Sequence, residues 1–276
     1  MEVQHSVGSA DAATVSAPVV RTPIYVPSQQ RAAASQISAF ATALQAHSGV
    51  DCSSYAALHA FSVRDYRTFW RFFVESTDGL DYAGSVEPVC VGDVCEHASF
   101  FPNLELNYAD NLLGTQIAPS SAPALTACHA DGRRVRLTRG ELRERVARLA
   151  VALERLGIQR GDRVAAVMRN DEQAIVTALA VAALGATLST ASPEMGSEAL
   201  LDRVEQLAPR LLFAHTATLP ADTGMTPAEK VAKLAAALRS LDGIVTLDDG
   251  PLPAGIIQPV HSVSKLIAGS DPGSFV

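Results

Sequence analysis

The sequence lacks a run of apolar residues long enough to cross a bilayer. Its longest such stretch, residues 174–188, is interrupted by Thr177, Gly185 and Thr187, and it falls short of the roughly 20 residues a membrane helix needs. It reads instead as a buried helix followed by a strand. No basic start with an apolar middle marks a secretory leader. Cysteine is scarce: Cys52, Cys90, Cys95 and Cys128 make no disulfide framework for a chain of this size. Neither a second closely spaced pair nor a His pair completes a zinc finger. Reduced thiols and a cytoplasmic setting are the expectation. A 5% aromatic content and 18% charged residues are ordinary for a soluble α/β protein rich in alanine and leucine. The net charge of −7 weighs against nucleic acid as a partner, and nothing points to a membrane.

Chemical motifs are missing as well. A phosphate-cradling loop needs closely spaced glycines so that backbone N–H groups can approach the oxygens. The sequence holds no G-x-G-x-x-G, no G-x-x-x-x-G-K-[ST], and no Ser/Thr/Gly-rich loop ending in Pro-Lys. It also has no G-x-S-x-G elbow and no H-E-x-x-H. The seven histidines are scattered. His129 and His215, each at the end of an apolar strand, read as hydrogen-bonded structural residues. A complete enzyme of an unrelated class is disfavoured, since no nucleophile–base pair or metal constellation is apparent.

What is present is apolar material and regular alternation. At 48% hydrophobic residues, the chain can bury a sizeable core. Residues 1–22, rich in Ser, Ala and Val without a period, read as a disordered lead-in. A helix is predicted over 35–47, from Ile37, Phe40 and Leu44 at helical spacing, and another over 65–76. There Phe69, Trp70, Phe72 and Phe73 make a thick apolar face expected to be core. Residues 79–102 are turn-rich, with a short strand at 86–91.

From Ala124 the pattern switches. Strands over 125–129 and 135–137 flank the Asp131-Gly132 hairpin turn. Thr138 with Glu141 is a capping box opening a helix with Leu142, Val146, Leu149 and Leu153 on one face, closed by Gly157. Strands at 163–168, 186–189, 210–214 and 244–247 then alternate with helices at 172–184, 197–207 and 226–240. The last is opened by the Thr226-Pro227-Glu229 capping box. This repetition predicts an α/β body from about 124 to 249: a parallel, doubly wound sheet with helices on both faces, preceded by a helical N-terminal extension. Between Arg133 and Arg169 eleven arginines face four acids. A phosphate-rich partner could use such a segment, but a solvated helix face with strand ends is the preferred reading.

An ordered set of short segments resembles the N-terminal part of the acetoacetyl-CoA synthetases, in the adenylate-forming acyl-CoA synthetase superfamily. Tyr25-Val26-Pro27-Ser28, Tyr55 to Leu58, Phe61 to Val63 and Phe69-Trp70 match in order and spacing. The most specific match is Phe101-Pro102 followed by Leu106 to Leu113. Gly161 to Val164, Leu184 to Ala186, Ser192-Pro193, Leu201 to Arg203 and 230–247 continue it. The resemblance implies a first adenylation subdomain over 124–276, and a family extension over 23–123.

For the family it implies ATP-dependent formation of an acyl-adenylate, then a thioester with CoA, using ATP, Mg2+ and CoA. The catalytic groups belong to later segments, so the resemblance implies a fragment stopping at Val276 before the phosphate loop. Such a fragment is inactive alone and dependent on a missing C-terminal half or a larger assembly. The alternative is a non-catalytic docking module derived from an adenylation domain.

By the same resemblance, Ser192, Pro193 and Glu194 lie along the path of the CoA thiol arm, and Arg203 could meet a phosphate. Their plainer readings are a β–α turn with a Ser cap, and a surface ion pair beside Asp202 and Glu205. One departure stands out: the family's basic, Gly-rich stretch is replaced here by Thr216 to Asp222, without Arg or Lys. None of the three cofactors is expected to bind this chain tightly.

Overall fold

The computed structural model describes residues 24–94, 96–220, 222–252 and 255–273. The lead-in expected over 1–22 lies outside them. The chain divides into two compact units between Phe72 and Phe73.

The first unit is helical. α1 (Gln29–Ala33), α2 (Gln36–Ser48) and α3 (Tyr55–Arg64) are opened by Ser28, Ser35 and Ser54, whose side-chain oxygens accept backbone N–H bonds. α4 (Tyr66–Ser76) follows. Leu44, Cys52, Leu58 and Phe61 are buried against Phe40, Phe69 and Phe72, with Phe40 edge-on to Phe69 at 5.6 Å. The aromatic face is thinner than expected: Trp70 is 38% exposed and Phe73 41%. Adjacent helical residues diverge by about 100°, so Phe69 and Phe72 share one face and Trp70 and Phe73 another.

The second unit begins with two small antiparallel pairs, β1 (Ala83–Gly84) with β4 (Leu104–Glu105) and β2 (Cys90–Val91) with β3 (Ser99–Phe100). The strand expected over 86–91 is thus only its last two residues. α5 (Tyr108–Leu113) opens on Asn107, whose Oδ1 accepts N–H bonds from Ala109 (2.9 Å) and Asp110 (3.3 Å). Asn107 Nδ2 donates to the Ala183 carbonyl at 2.9 Å. Asn111 exchanges two 2.8 Å bonds with the Asp81 backbone. The most family-specific segment of the sequence is therefore a structural staple.

β5 (Pro123–Cys128) and β6 (Arg134–Thr138) form the expected hairpin. α6 (Arg139–Arg155), β7 (Arg163–Val167), α7 (Glu172–Ala183), β8 (Thr187–Ala191), α8 (Ser197–Leu207), β9 (Leu211–Ala214), α9 (Pro227–Ala237), β10 (Gly243–Thr246), β11 (Val260–Ser262) and α10 (Val263–Ala268) complete the unit. Both sequence-predicted capping boxes are present, at Thr138 and Thr226.

The sheet is parallel throughout, ordered β11-β10-β9-β7-β8. Alternate residues feed opposite cores, as a strand's period of two requires. Val164, Ala166, Leu211, Phe213 and Val245 pack with α6, α7 and α10. Ala165, Val167, Leu212, Ala214 and Ile244 pack with α8 and α9. The body extends past residue 249, since β11 and α10 add a fifth strand and a further helix.

The arginine-rich segment also serves the fold. Arg139 and Arg143 donate to the Leu112 and Leu113 carbonyls at the end of α5, Arg163 to Leu207, and Arg148 to Ser270. Not all of them turn outward to solvent.

Candidate functional site

Chain order and sheet order together locate the site. The chain runs β7 to β8 on one side, then returns to place β9 on the other side of β7. Open parallel sheets bind ligands beyond the carboxyl ends of the strands, where the winding reverses. Here that point lies between β7 and β9. A cavity of about 480 Å³ opens there, lined by His129, Arg169, Asp171, Glu172, His215 and Asp248 among others.

The groups in it are closely paired. The Arg169 N–H donates to His215 Nδ1 at 3.1 Å. His215 Nε2 therefore carries the proton and donates to Asp171 Oδ2 at 2.9 Å. Asp171 Oδ1 caps α7, accepting from the N–H groups of Gln173 and Ala174. Burial pushes the Asp171 carboxyl up, but the His215 bond and the two helix N–H groups outweigh it, leaving its pKa below the ordinary carboxylate range. Beside it, His129 Nε2 meets Glu172 Oε2 at 2.9 Å. His129 Nδ1 accepts from Arg133 at 3.0 Å. His129 and His215 are hydrogen-bonded, as the sequence suggested.

Arg169 is the cation best placed for an anionic ligand, and it is already held. Its Nη2 donates to Asp222 at 2.9 Å and to the Ala217 carbonyl at 2.8 Å, while Nη1 lies 3.7 Å from Asp248. Asp248 in turn ties down the segment after β9. Its Oδ1 accepts from Thr216 N (3.0 Å), Thr216 Oγ1 (2.9 Å) and Gly250 N (3.1 Å), and Oδ2 accepts from Ala217 N (3.1 Å). Burial raises the Asp248 pKa, but these backbone donors overcome it and the net shift is downward. Gly250 is required here, because a Cβ on it would lie 2.0 Å from Ala217 N.

Ser192, Pro193 and Glu194 follow β8 along the same carboxyl edge. Ser192 Oγ accepts the Glu194 N–H at 3.3 Å, a local turn. The Pro193 carbonyl accepts from Lys230 Nζ at 2.6 Å. Lys230, only 7% exposed, was not singled out from the sequence, because it lies within the capping-box helix α9. Arg203 is exposed on α8, about 9 Å along the axis from Ser197. Neither it nor Ser192, Pro193 or Glu194 lines the switch-point cavity. Ser192, Pro193 and Glu194 thus form one local turn, and Arg203 stands on the following helix. Asp171, Glu172 and Asp248, which sequence reasoning passed over, all line the switch-point cavity.

Residues 116–268 match the family model described as AMP-binding enzyme. Acetoacetyl-coenzyme A synthetase from Rhizobium meliloti (strain 1021) is 36% identical over 191 residues, covering 69% of this chain and 29% of that protein. The Mus musculus acetoacetyl-CoA synthetase is 32% identical, covering 77% and 32%. A malonamoyl-CoA synthetase from Penicillium aethiopicum is 30% identical, covering 77% and 30%. Among solved structures, acetoacetyl-CoA synthetase from Streptomyces lividans superposes with a TM-score of 0.80 at 30% identity, covering 91% of this chain and 38% of that one. The chain therefore spans about a third of the length of the relatives it matches, and it belongs to the AMP-binding enzyme family.

Proposed function

We propose that this chain is the first part of an acid–thiol ligase of the acetoacetyl-CoA synthetase type, and that it activates no acid by itself. The family match across the sheet carries this reading. Ser192, Pro193 and Glu194 then flank the approach of the CoA thiol arm, with Arg203 on the neighbouring helix. The rest of the ligase supplies the nucleotide site and is the partner. Val260, 41% exposed, lies on β11, the edge strand of the sheet, which supports a sheet continued by further polypeptide. The free thiols of Cys52, Cys90 and Cys128 support a reducing, cytoplasmic setting. No helix among the described residues is long and apolar enough to cross a membrane.

The residues after β9 do not fit a phosphate of ATP or CoA. A phosphate leaving water must meet charge-assisted donors, whereas the loop 215–222 contributes Asp222, and Arg169 is occupied by two carboxylates. No catalytic step is assigned to these residues. The test is ATP–pyrophosphate exchange with acetate, acetoacetate and longer acids, Mg2+ included. The purified chain should give no exchange above the enzyme-free blank. Acid-dependent exchange would refute the reading.

A further inference from the structure

Three potential metal ligands converge beside the switch-point cavity. His129, on the β5–β6 turn, and Asp171 and Glu172, at the start of α7, place one ligand atom each within 4.8 Å of one another. Among the described residues they are the one group of three that does so. We propose that His129, Asp171 and Glu172 bind a divalent transition-metal ion of the zinc class at this point.

The donor set selects the class. One imidazole and two carboxylates suit zinc and its neighbours, while calcium and magnesium take six or more oxygens. Three protein ligands leave a fourth position toward the cavity for water. Charge agrees: the cavity is lined by Asp131, Asp171, Glu172 and Asp248 against Arg133 and Arg169, and Arg169 also holds Asp222. The surplus is negative. Glu172 is only 8% exposed, its cationic neighbour Arg133 stands 4.0 Å away, and a carboxylate so buried is better served by a closer positive charge.

The supporting groups are in place. Ligating carboxylates are oriented by hydrogen bonds from behind. Asp171 has them on both oxygens, from the α7 N–H groups and from His215, which is itself held by the Arg169 N–H. Zinc bonds of about 2.0–2.2 Å put tetrahedral ligand atoms about 3.4 Å apart. The 2.9 Å His129–Glu172 separation then opens by about 0.5 Å, and Asp171, within 4.8 Å of both, closes by up to about 1.4 Å, shifts that side-chain rotation supplies.

The competitor is Arg133, which donates to His129 Nδ1 and lies 4.0 Å from Glu172 Oε1. For the ion to take the Nε2 lone pair, the imidazole proton moves to Nδ1 and the Arg133 guanidinium withdraws. That side chain is 56% exposed, so solvent can receive it.

The experiment is titration of the full chain with Zn2+ by calorimetry and with Co2+ by visible absorption, in a non-chelating buffer. The result expected is one equivalent bound, with the intense visible bands of four-coordinate Co2+. Affinity should fall at least about tenfold in His129→Ala and in the isosteric Glu172→Gln, and rise several-fold in Arg133→Gln. Far-ultraviolet circular dichroism checks each fold; if His129→Ala unfolds, the other two variants decide. No binding up to about 1 mM ion, or equal affinity and spectrum in Glu172→Gln and Arg133→Gln, would overturn the proposal. The ligase reading is independent of this outcome, because neither readout uses ATP, acid or CoA.

Discussion

Replacing Asp248 by alanine tests how the carboxyl edge is held. The carboxylate accepts from three backbone N–H groups, those of Thr216, Ala217 and Gly250, and from the Thr216 hydroxyl. Thr216 is fully buried, whereas Ala217 and Gly250 are partly exposed. Truncation leaves the Thr216 N–H without an acceptor in a dry position, at about 1–3 kcal/mol. Water can reach the Ala217 and Gly250 donors, so each loses about 0.5–1 kcal/mol. The Thr216 hydroxyl loses its acceptor too, at about 0.5–1 kcal/mol. The sum is about 4 kcal/mol, against roughly 0.5 for an ordinary surface change. Asp248→Asn keeps one acceptor oxygen but turns an amide toward one set of donors, so about half that loss is expected. Urea unfolding followed by circular dichroism gives both values, provided the slope m is unchanged. A loss below about 1 kcal/mol in Asp248→Ala would refute this account of the loop.

Gly250→Ala should be as damaging as Asp248→Ala or worse, because its Cβ would meet backbone 2.0 Å away; the same unfolding curve reads it, and wild-type stability would contradict the close approach. Asn107→Ala removes both the α5 cap and the bond to Ala183, so a loss of about 2 kcal/mol is expected, seen as a lowered urea midpoint. Stability should also fall on the acid side. Asp248 and Asp162 both have folded pKa values below the ordinary value, so their contribution is complete above the unfolded pKa of about 3.9 and is lost as pH falls through the folded values. Urea midpoints measured from pH 6 to pH 2.5 should decline below about pH 4, less steeply in Asp248→Asn; a flat profile would contradict the shifts.

The fold was legible where local chemistry is decisive. Thr138 with Glu141, and Thr226 with Pro227 and Glu229, mark helix starts through a reciprocal bond that four residues specify alone. The parallel sheet followed from apolar runs spaced by helices. β11 and α10 escaped because Pro251, Pro253, Gly255 and Pro259 break the pattern before them. α3 escaped because Leu58 and Phe61 are its only buried contacts, too few to set a period. The cluster at the switch point was hidden for a different reason. His129, Asp171, His215 and Asp248 are far apart in sequence and meet only once β9 lies beside β7. Working out the 2-1-3 strand order would have directed attention to the residues just after these two strands. The Lys230–Pro193 bond joins a helix and a loop 37 residues apart, and no spacing rule foretells it.

The central claim is that the carboxyl edge keeps the parallel-sheet architecture while its central cation, Arg169, is tied to the carboxylates of Asp222 and Asp248. Calorimetric titration of CoA into the purified chain tests this most directly. One exposed ion pair, such as Arg203 could offer, supplies roughly 0–1 kcal/mol, whereas micromolar binding requires about 8. No saturable heat is expected up to about 1 mM CoA; a dissociation constant in the low micromolar range, lost in Arg203→Ala, would contradict the claim.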